Sequence, residues 1–310
     1  MITWGINALN HDASIAIVND GNLVFWKSSS EYSGIKGDGL LNQQLIDDAI
    51  HKGIPDEIVW YERPWLKKTR QIYAGQWNWA FNINEIPSVY LKRFNLHKTP
   101  ISYLPHHLSH AASGFLTSPY DKATIVVLDG IGEWESATIW KGEGTNLSKL
   151  WSRSYPTSLG IFYSAFTKLL GLNPLSEEHI LQKLSLSGNP IPYYYHVKYY
   201  WKDDVKLRFN LHKGVVDWHI EINENNRADI AASVQMIFEE KANEIMNIAK
   251  ALSPYTDLVF MGGCAMNSKF RNTLFNNWGN VWSLPNSGDI SSAIGAALYK
   301  QQIRLNLTEI

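Results

Sequence analysis

Cysteine is almost absent from this chain of 310 residues, where Cys264 stands alone. A single thiol cannot close an internal disulfide, which removes the small secreted folds that are stapled by bridges. An excess of one charge sign is also missing: 28 basic residues face 29 acidic ones, for a formal net charge of -1. No global positive field therefore draws the chain to a nucleic-acid duplex or an anionic membrane. No apolar run approaches the roughly 20 residues that a bilayer-spanning helix needs. The first strand begins almost at Met1, with no basic, apolar and cleavable leader before it, so the chain reads as cytoplasmic and off the membrane. Neither a P-loop nor a dinucleotide G-x-G-x-x-G occurs, and those two nucleotide-binding classes lose support.

Apolar and aromatic surface is abundant. Hydrophobic residues make up 45% of the chain, enough to bury a large core in one big domain or two lobes. Thirteen Trp and fifteen Tyr include two clusters, one with Trp60, Trp65, Trp77 and Trp79 and one running from Tyr193 to Trp201. Such rings read first as core and interface area, and second as a stacking wall for a flat or sugar-like ligand.

The hydropathy pattern starts twice. Residues 2–9 form an apolar strand, Asn10-His11-Asp12 a polar corner, 14–18 a second strand, and Asn19-Asp20-Gly21 a turn into a third. A helix over 40–51 and a buried strand over 57–61 follow. Near the middle, 123–128 is again an apolar strand that ends in Asp129-Gly130, followed by strands over 136–140 and 147–151. The restart predicts an α/β chain with an internal duplication, divided into 1–118 and 119–310. The second half continues with a helix over 161–170, an insertion around 173–223 and a long amphipathic helix over 227–252. A buried strand over 258–261 and a final helix over 289–302 complete it.

One segment carries the strongest chemical signal. In Pro105-His106-His107-Leu108-Ser109-His110 the proline suits the first turn of a helix, which places His106 and His110 four residues apart on one face. Cβ atoms so spaced lie about 5–6 Å apart, close enough for two imidazoles to share a divalent ion. Histidines merely exposed at a helix start are the plainer alternative, and His107 points elsewhere. Asp289, where the loop Asn286-Ser287-Gly288 meets the final helix, is a candidate third ligand or a helix-start carboxylate. Two histidines and one carboxylate match the facial arrangement of iron sites, with zinc or manganese as alternatives. Three corners after apolar strands suit nucleotide handling: Gly5 with Asn10-His11-Asp12, Asp129-Gly130-Ile131-Gly132, and Gly262-Gly263 leading to Asn267. Each offers backbone N–H groups to phosphate, or lets a ligand approach a glycine closely. Cys264 reads as a small buried hydrophobe.

Taken in order, these blocks resemble the carbamoyltransferase family that includes the nodulation-factor, cephalosporin and tobramycin O-carbamoyltransferases. Gly5-Ile6-Asn7 with His11-Asp12-Ala13-Ser14 looks like the family's opening. Tyr61-Glu62-Arg63-Pro64 with Lys67, the segment from His106 to Phe115, and Asp129-Gly130-Ile131-Gly132-Glu133-Trp134 look like its next motifs. Ser158-Leu159-Gly160 with Tyr163-Ser164, then Gly262-Gly263-Cys264-Ala265-Met266-Asn267, then Gly288-Asp289 with Ile294-Gly295-Ala296-Ala297 complete the set.

The resemblance implies a two-lobed, actin/sugar-kinase-like fold with duplicated βββαβα units. It also implies transfer of a carbamoyl group from carbamoyl adenylate, made from carbamoyl phosphate and ATP, to a hydroxyl acceptor. By the same likeness His106, His110 and Asp289 hold a metal, iron in the first place. Asp12 orients or deprotonates the acceptor with His11 beside it, and Lys36 steadies the developing oxyanion. Asp129, Gly130, Gly262, Gly263 and Asn267 face the nucleotide. The acceptor is a sugar, a small metabolite or a hydroxymethylated pyrimidine, so contact with nucleic acid stays open. Three departures stand out. The family's arginine-rich segment is Tyr32-Ser33-Gly34-Ile35-Lys36 here, and Ile180 stands where the family has a lysine. The chain stops at Ile310, where family members continue into a YrdC-like domain that makes the adenylate. Either a separate YrdC-like partner supplies the adenylate or this domain uses carbamoyl phosphate in a simplified way, and both stay open, with a catalytically reduced nucleotide-binding subunit or a kinase of the same fold as the alternatives to the transferase.

Overall fold

A computed structural model describes residues 1–306. Two five-stranded sheets dominate it. The first contains β1 (Ile2–Asn7), β2 (Ser14–Asn19), β3 (Asn22–Ser28), β4 (Glu57–Trp60) and β5 (Ile101–Tyr103), in the order β3-β2-β1-β4-β5. The second contains β6 (Lys122–Leu128), β7 (Glu135–Glu143) and β8 (Asn146–Ser154), then β11 (Leu258–Met261) and β12 (Val281–Trp282). Between these groups lies a two-stranded ribbon of β9 (Trp201–Lys202) and β10 (Lys206–Leu207). The order in the second sheet is β8-β7-β6-β11-β12.

Each sheet is an antiparallel three-strand meander extended on its first strand by two parallel strands. The repeated strand order and directions establish the duplication that the sequence restart implied. The central strands β1 and β6 are buried on both faces; β6 is accordingly a nearly continuous apolar run, whereas β1 alternates Ile2, Trp4 and Ile6 with buried Thr3, Gly5 and Asn7.

The helices between the sheets are exchanged. His106–Leu116 follows the first sheet in sequence but packs on β6, β7 and β11, while Asp289–Gln301 follows the second sheet and packs on β1, β2 and β4. The two helices also pack on each other, and every residue of His106–Leu116 is buried. Small residues make this layering possible. A Cβ on Gly5 would fall 1.9 Å from the Ala293 carbonyl oxygen, and one on Gly295 would fall 2.0 Å from that of Ser109. Such distances admit no side chain, so glycine at both places lets the backbones touch.

The region around 173–223 sits between the helices Leu159–Leu169 and Arg227–Leu252. It is part of the second half's core as well as an elaboration, because Val197, Tyr200, Trp201, Leu207 and Leu211 are buried in the same apolar cluster as Phe162 and Phe238. Of the tyrosine-rich stretch, Tyr200 and Trp201 serve packing, whereas Tyr195 is 80% exposed. No helix among the described residues is long and apolar enough to cross a membrane.

Candidate metal centre

His106 and His110 are delivered by the first and second turns of a helix that Pro105 introduces. Asp289 opens the helix packed against it, and Asp129 follows β6 at the point where that strand leaves the sheet. All four side chains are buried, and one ligand atom from each lies within 4.8 Å of the other three. His110 Nε2 is 3.2 Å from Asp289 Oδ1, and His106 Nε2 is 3.5 Å from the same oxygen. His106 Nε2 also stands 3.3 Å from Asp129 Oδ2 and 3.1 Å from His110 Nε2.

The surroundings fix these orientations. The Gly263 N–H donates to Asp129 Oδ1 at 2.9 Å, and Ser292 Oγ lies 3.3 Å from His110 Nδ1. Gly132 backs His106, where a Cβ would fall 2.8 Å from the ring. The Tyr61 ring stands 5.2 Å from it on another side. His107 turns away, with Nδ1 3.0 Å from Thr138 Oγ1, and burial holds its pKa well below the usual value.

Charge is concentrated here. Burial pulls the His106 pKa down, but the attraction of Asp289 and Asp129 overrides that and raises it to about 9. His11 behaves alike: burial opposes protonation, Asp289 and Asp12 favour it, and the pKa rises to about 9. Burial alone would raise the Asp289 and Asp129 carboxyls, yet the neighbouring imidazoles hold both below their ordinary range. Asp289 Oδ2 is buried without a hydrogen bond and faces His11 Nε2 at 3.5 Å. Two imidazoles and two carboxylates converging at such spacing, with one carboxylate oxygen unsatisfied, form a donor set that can hold a first-row divalent ion.

His11 and Asp12 form the more open edge of this centre, joined by a 2.9 Å contact between His11 Nδ1 and Asp12 Oδ2. Gly130 borders open space, and Gly262 takes a left-handed φ of 91° where a Cβ would fall 2.3 Å from the Leu128 carbonyl oxygen. Asn267 uses its amide within the fold. Its Oδ1 accepts from Phe270 N as a helix cap and from Gln235 Nε2, while its Nδ2 donates to Gln235 Oε1. Lys36 is exposed and donates to the Ser176 carbonyl at 3.0 Å, with no ion pair to the centre among the described residues.

The sequence pattern singled out His106, His110 and Asp289, and the fold brings them together. It had placed Asp129 with the nucleotide, and the structure adds it to the histidine pair. The signal lay in the duplication, since Asp129 follows the second half's first strand as the His11-Asp12 corner follows that of the first. Two carboxylates beside the centre were not anticipated as partners. Buried Glu133 binds Arg63 through Nε at 3.0 Å and Nη2 at 2.6 Å, and buried Glu62 binds Lys67 Nζ at 2.8 Å.

A family model described as carbamoyltransferase N-terminus matches residues 3–298. The chain belongs to that family. Among curated relatives, an uncharacterised protein of Synechocystis sp. is 28% identical over 95% of this chain and 56% of its own length. The nodulation protein NolNO of Sinorhizobium fredii is 23% identical over 94% of the chain and 46% of its length. This carbamoyltransferase-family chain thus spans about half the length of the curated relatives it matches.

Solved structures of similar fold include component A of the Acidaminococcus fermentans (R)-2-hydroxyglutaryl-CoA dehydratase. It has a TM-score of 0.52 and 17% identity, with 97% of this chain and 99% of that one covered. HypF of T. kodakarensis gives a TM-score of 0.54 at 11% identity, covering 97% of this chain and 47% of that one. Together with the duplicated sheets, these likenesses identify the actin/sugar-kinase-like fold.

Proposed function

We propose that this chain transfers a carbamoyl group from carbamoyl adenylate to a hydroxyl acceptor, at a metal held by His106, His110, Asp129 and Asp289. The observation that carries this reading is the buried quartet, whose donor atoms lie within 4.8 Å of one another in a chain of the carbamoyltransferase family. The segments on either side of residue 118 form the two walls of the donor cleft. The adenylate is made from carbamoyl phosphate and ATP by a YrdC-like unit outside residues 1–306. Iron is the first candidate by family likeness, and zinc and manganese suit the same ligands. The ion supplies Lewis acidity toward the phosphate side of the mixed anhydride.

The remaining work falls to side chains of this chain. Asp12, half-exposed and held by His11, takes the acceptor proton as the hydroxyl oxygen attacks the carbamoyl carbon. The bond from that carbon to the phosphate oxygen breaks, and AMP leaves with the electron pair. Lys36 exchanges the Ser176 carbonyl for the developing oxyanion. Gly130 borders open space and leaves room for the nucleotide to approach the backbone, while Gly262 and Gly263 shape the same edge by letting their backbone pack on Leu128 and Asp129. Exposed rings such as Tyr195 keep a sugar or an unstacked base among the possible acceptors.

Single-turnover reaction with synthetic carbamoyl adenylate and a panel of hydroxyl compounds, read by mass, tests the proposal. A product heavier by one carbamoyl group is expected. A phosphorylated product from ATP would replace the reading with a kinase, and no product with any acceptor would leave a binding subunit.

A further inference from the structure

The helix Pro64–Tyr73 carries Lys67 and Arg70 three residues apart on one face, and Arg63 caps its start with an extended backbone. Arg63 and Lys67 have buried carboxylate partners, Glu133 and Glu62. Arg70 has none. Its side chain is buried, with the residue only 7% exposed. Nη1 donates to Gln76 Oε1 at 2.8 Å, and Nε has no hydrogen-bond partner. No carboxylate among the described residues lies within ion-pair distance of it.

A buried guanidinium without an anion is costly, and natural folds rarely keep one without a use. Burial lowers the Arg70 pKa, against the opposing influence of Glu62, Tyr155 and Tyr61. The group nonetheless stays charged, because arginine does not lose its proton in proteins. The vicinity holds further unsatisfied polar atoms. The Tyr61 hydroxyl is fully buried with no well-formed hydrogen bond, although Glu62 stands near it, and its ring lies against His106 of the quartet. His212 Nδ1 is also unpaired, while its Nε2 stands 3.2 Å from Gln76 Nε2. Arg70 influences His212 and is influenced by Tyr61, and a guanidinium edge, a phenol and an imidazole nitrogen without well-formed hydrogen bonds share a missing partner, an oxyanion.

We infer that Arg70 is a binding residue for a phosphate-type oxyanion, taken through the unoccupied Nε edge of its guanidinium and bordered by Tyr61 and His212. A planar fork engages two oxygens of one anion, which an ammonium cannot reproduce. Two sources have this chemistry: the phosphate of the carbamoyl donor, or an acidic group on the acceptor. The first rests on the transferase reading above, whereas the oxyanion site itself does not.

The test is calorimetric titration of the full chain, freed of metal by chelation, with inorganic phosphate and with AMP. It compares the unaltered protein with Arg70→Met and Arg70→Lys, and needs no turnover. Loss of a paired, charge-assisted contact weakens binding roughly 10- to 100-fold. Both variants are expected to lose phosphate by about that factor, the lysine included because it lacks the fork. A parallel loss for AMP assigns the site to the donor, and loss for phosphate with AMP unchanged assigns it to an acidic acceptor. In phosphate-free buffer Arg70→Met is expected to melt at or above the temperature of the unaltered protein, since it removes an unpaired buried charge. Unchanged phosphate affinity in both variants, or a lowered melting temperature with unchanged affinity, overturns the inference and leaves Arg70 a packing residue.

Discussion

The backbone N–H of Gly263 donates to Asp129 Oδ1 at 2.9 Å, and this bond turns the other carboxylate oxygen toward the histidine pair, 3.3 Å from His106 Nε2. The link explains why two glycines follow β11. Gly262 is required by its left-handed backbone, and a Cβ on Gly263 would press on Asp129 at 3.0 Å.

Gly263→Ala is accordingly expected to fold but to hold metal more weakly, by roughly 10- to 100-fold, as when an outer partner of a ligand is disturbed. Competition against a metal-sensitive dye measures this. Unaltered affinity would mean that Asp129 is not steered by Gly263.

The close approach of the two exchanged helices sets the distance between His110 and Asp289. Gly295→Ala would force a methyl to within 2.0 Å of the Ser109 carbonyl oxygen, so the helices must part. Overpacking of this kind costs about 1–3 kcal/mol and more where backbone is struck. A lower urea midpoint together with reduced metal content is expected, and one without the other would separate packing from the centre.

The Arg63–Glu133 pair joins the two halves beside the centre, with Glu133 buried and the contact bidentate. Arg63→Ala removes the guanidinium from a buried carboxylate that then keeps only the backbone N–H of residue 63, a loss of about 1–3 kcal/mol. Chemical denaturation should show that loss, and Glu133→Gln in the same background should recover part of it. An Arg63→Ala protein as stable as the parent would remove the pair from the account.

Proton binding gives the centre a pH signature. In the metal-free protein the folded pKa of His106 is about 9 against an ordinary 6.5, so its contribution is complete below 6.5 and lost as pH rises through 9. Asp289, held below its ordinary range, contributes above that range and loses its contribution in acid. Metal-free protein should therefore melt progressively lower between pH 6.5 and 9. Metal-loaded protein should not, because the ion takes the place of the proton and binds more tightly as pH rises. Parallel melting curves for the two forms across this range would contradict the assignment.

Much of this molecule was legible before any coordinates. Nearly continuous apolar runs announced β6 and β11 because these strands are covered on both faces, alternating Ile2, Trp4 and Ile6 announced β1, and the repeated polar corner announced the duplication. The H-x-x-x-H spacing placed His106 and His110 on one helical face, since that is a local property. β5 and β12 went unread because three and two residues are too few to show a period. The exchange of the two helices was hidden, as nothing local says which sheet an apolar helix will cover. Asp129 looked like one acidic turn among several, and only tertiary packing aims its carboxylate at His106. Arg70 gave no signal, because a buried unpaired cation is a property of its surroundings.

Metal analysis of the purified full chain, alongside His110→Ala and Asp129→Ala, tests the central claim most directly. One transition-metal ion per chain is expected in the parent protein and close to none in either variant, with all three folded by circular dichroism. A parent protein that neither carries nor takes up an ion, or variants that keep it in full, would contradict the quartet as the working centre of this fold.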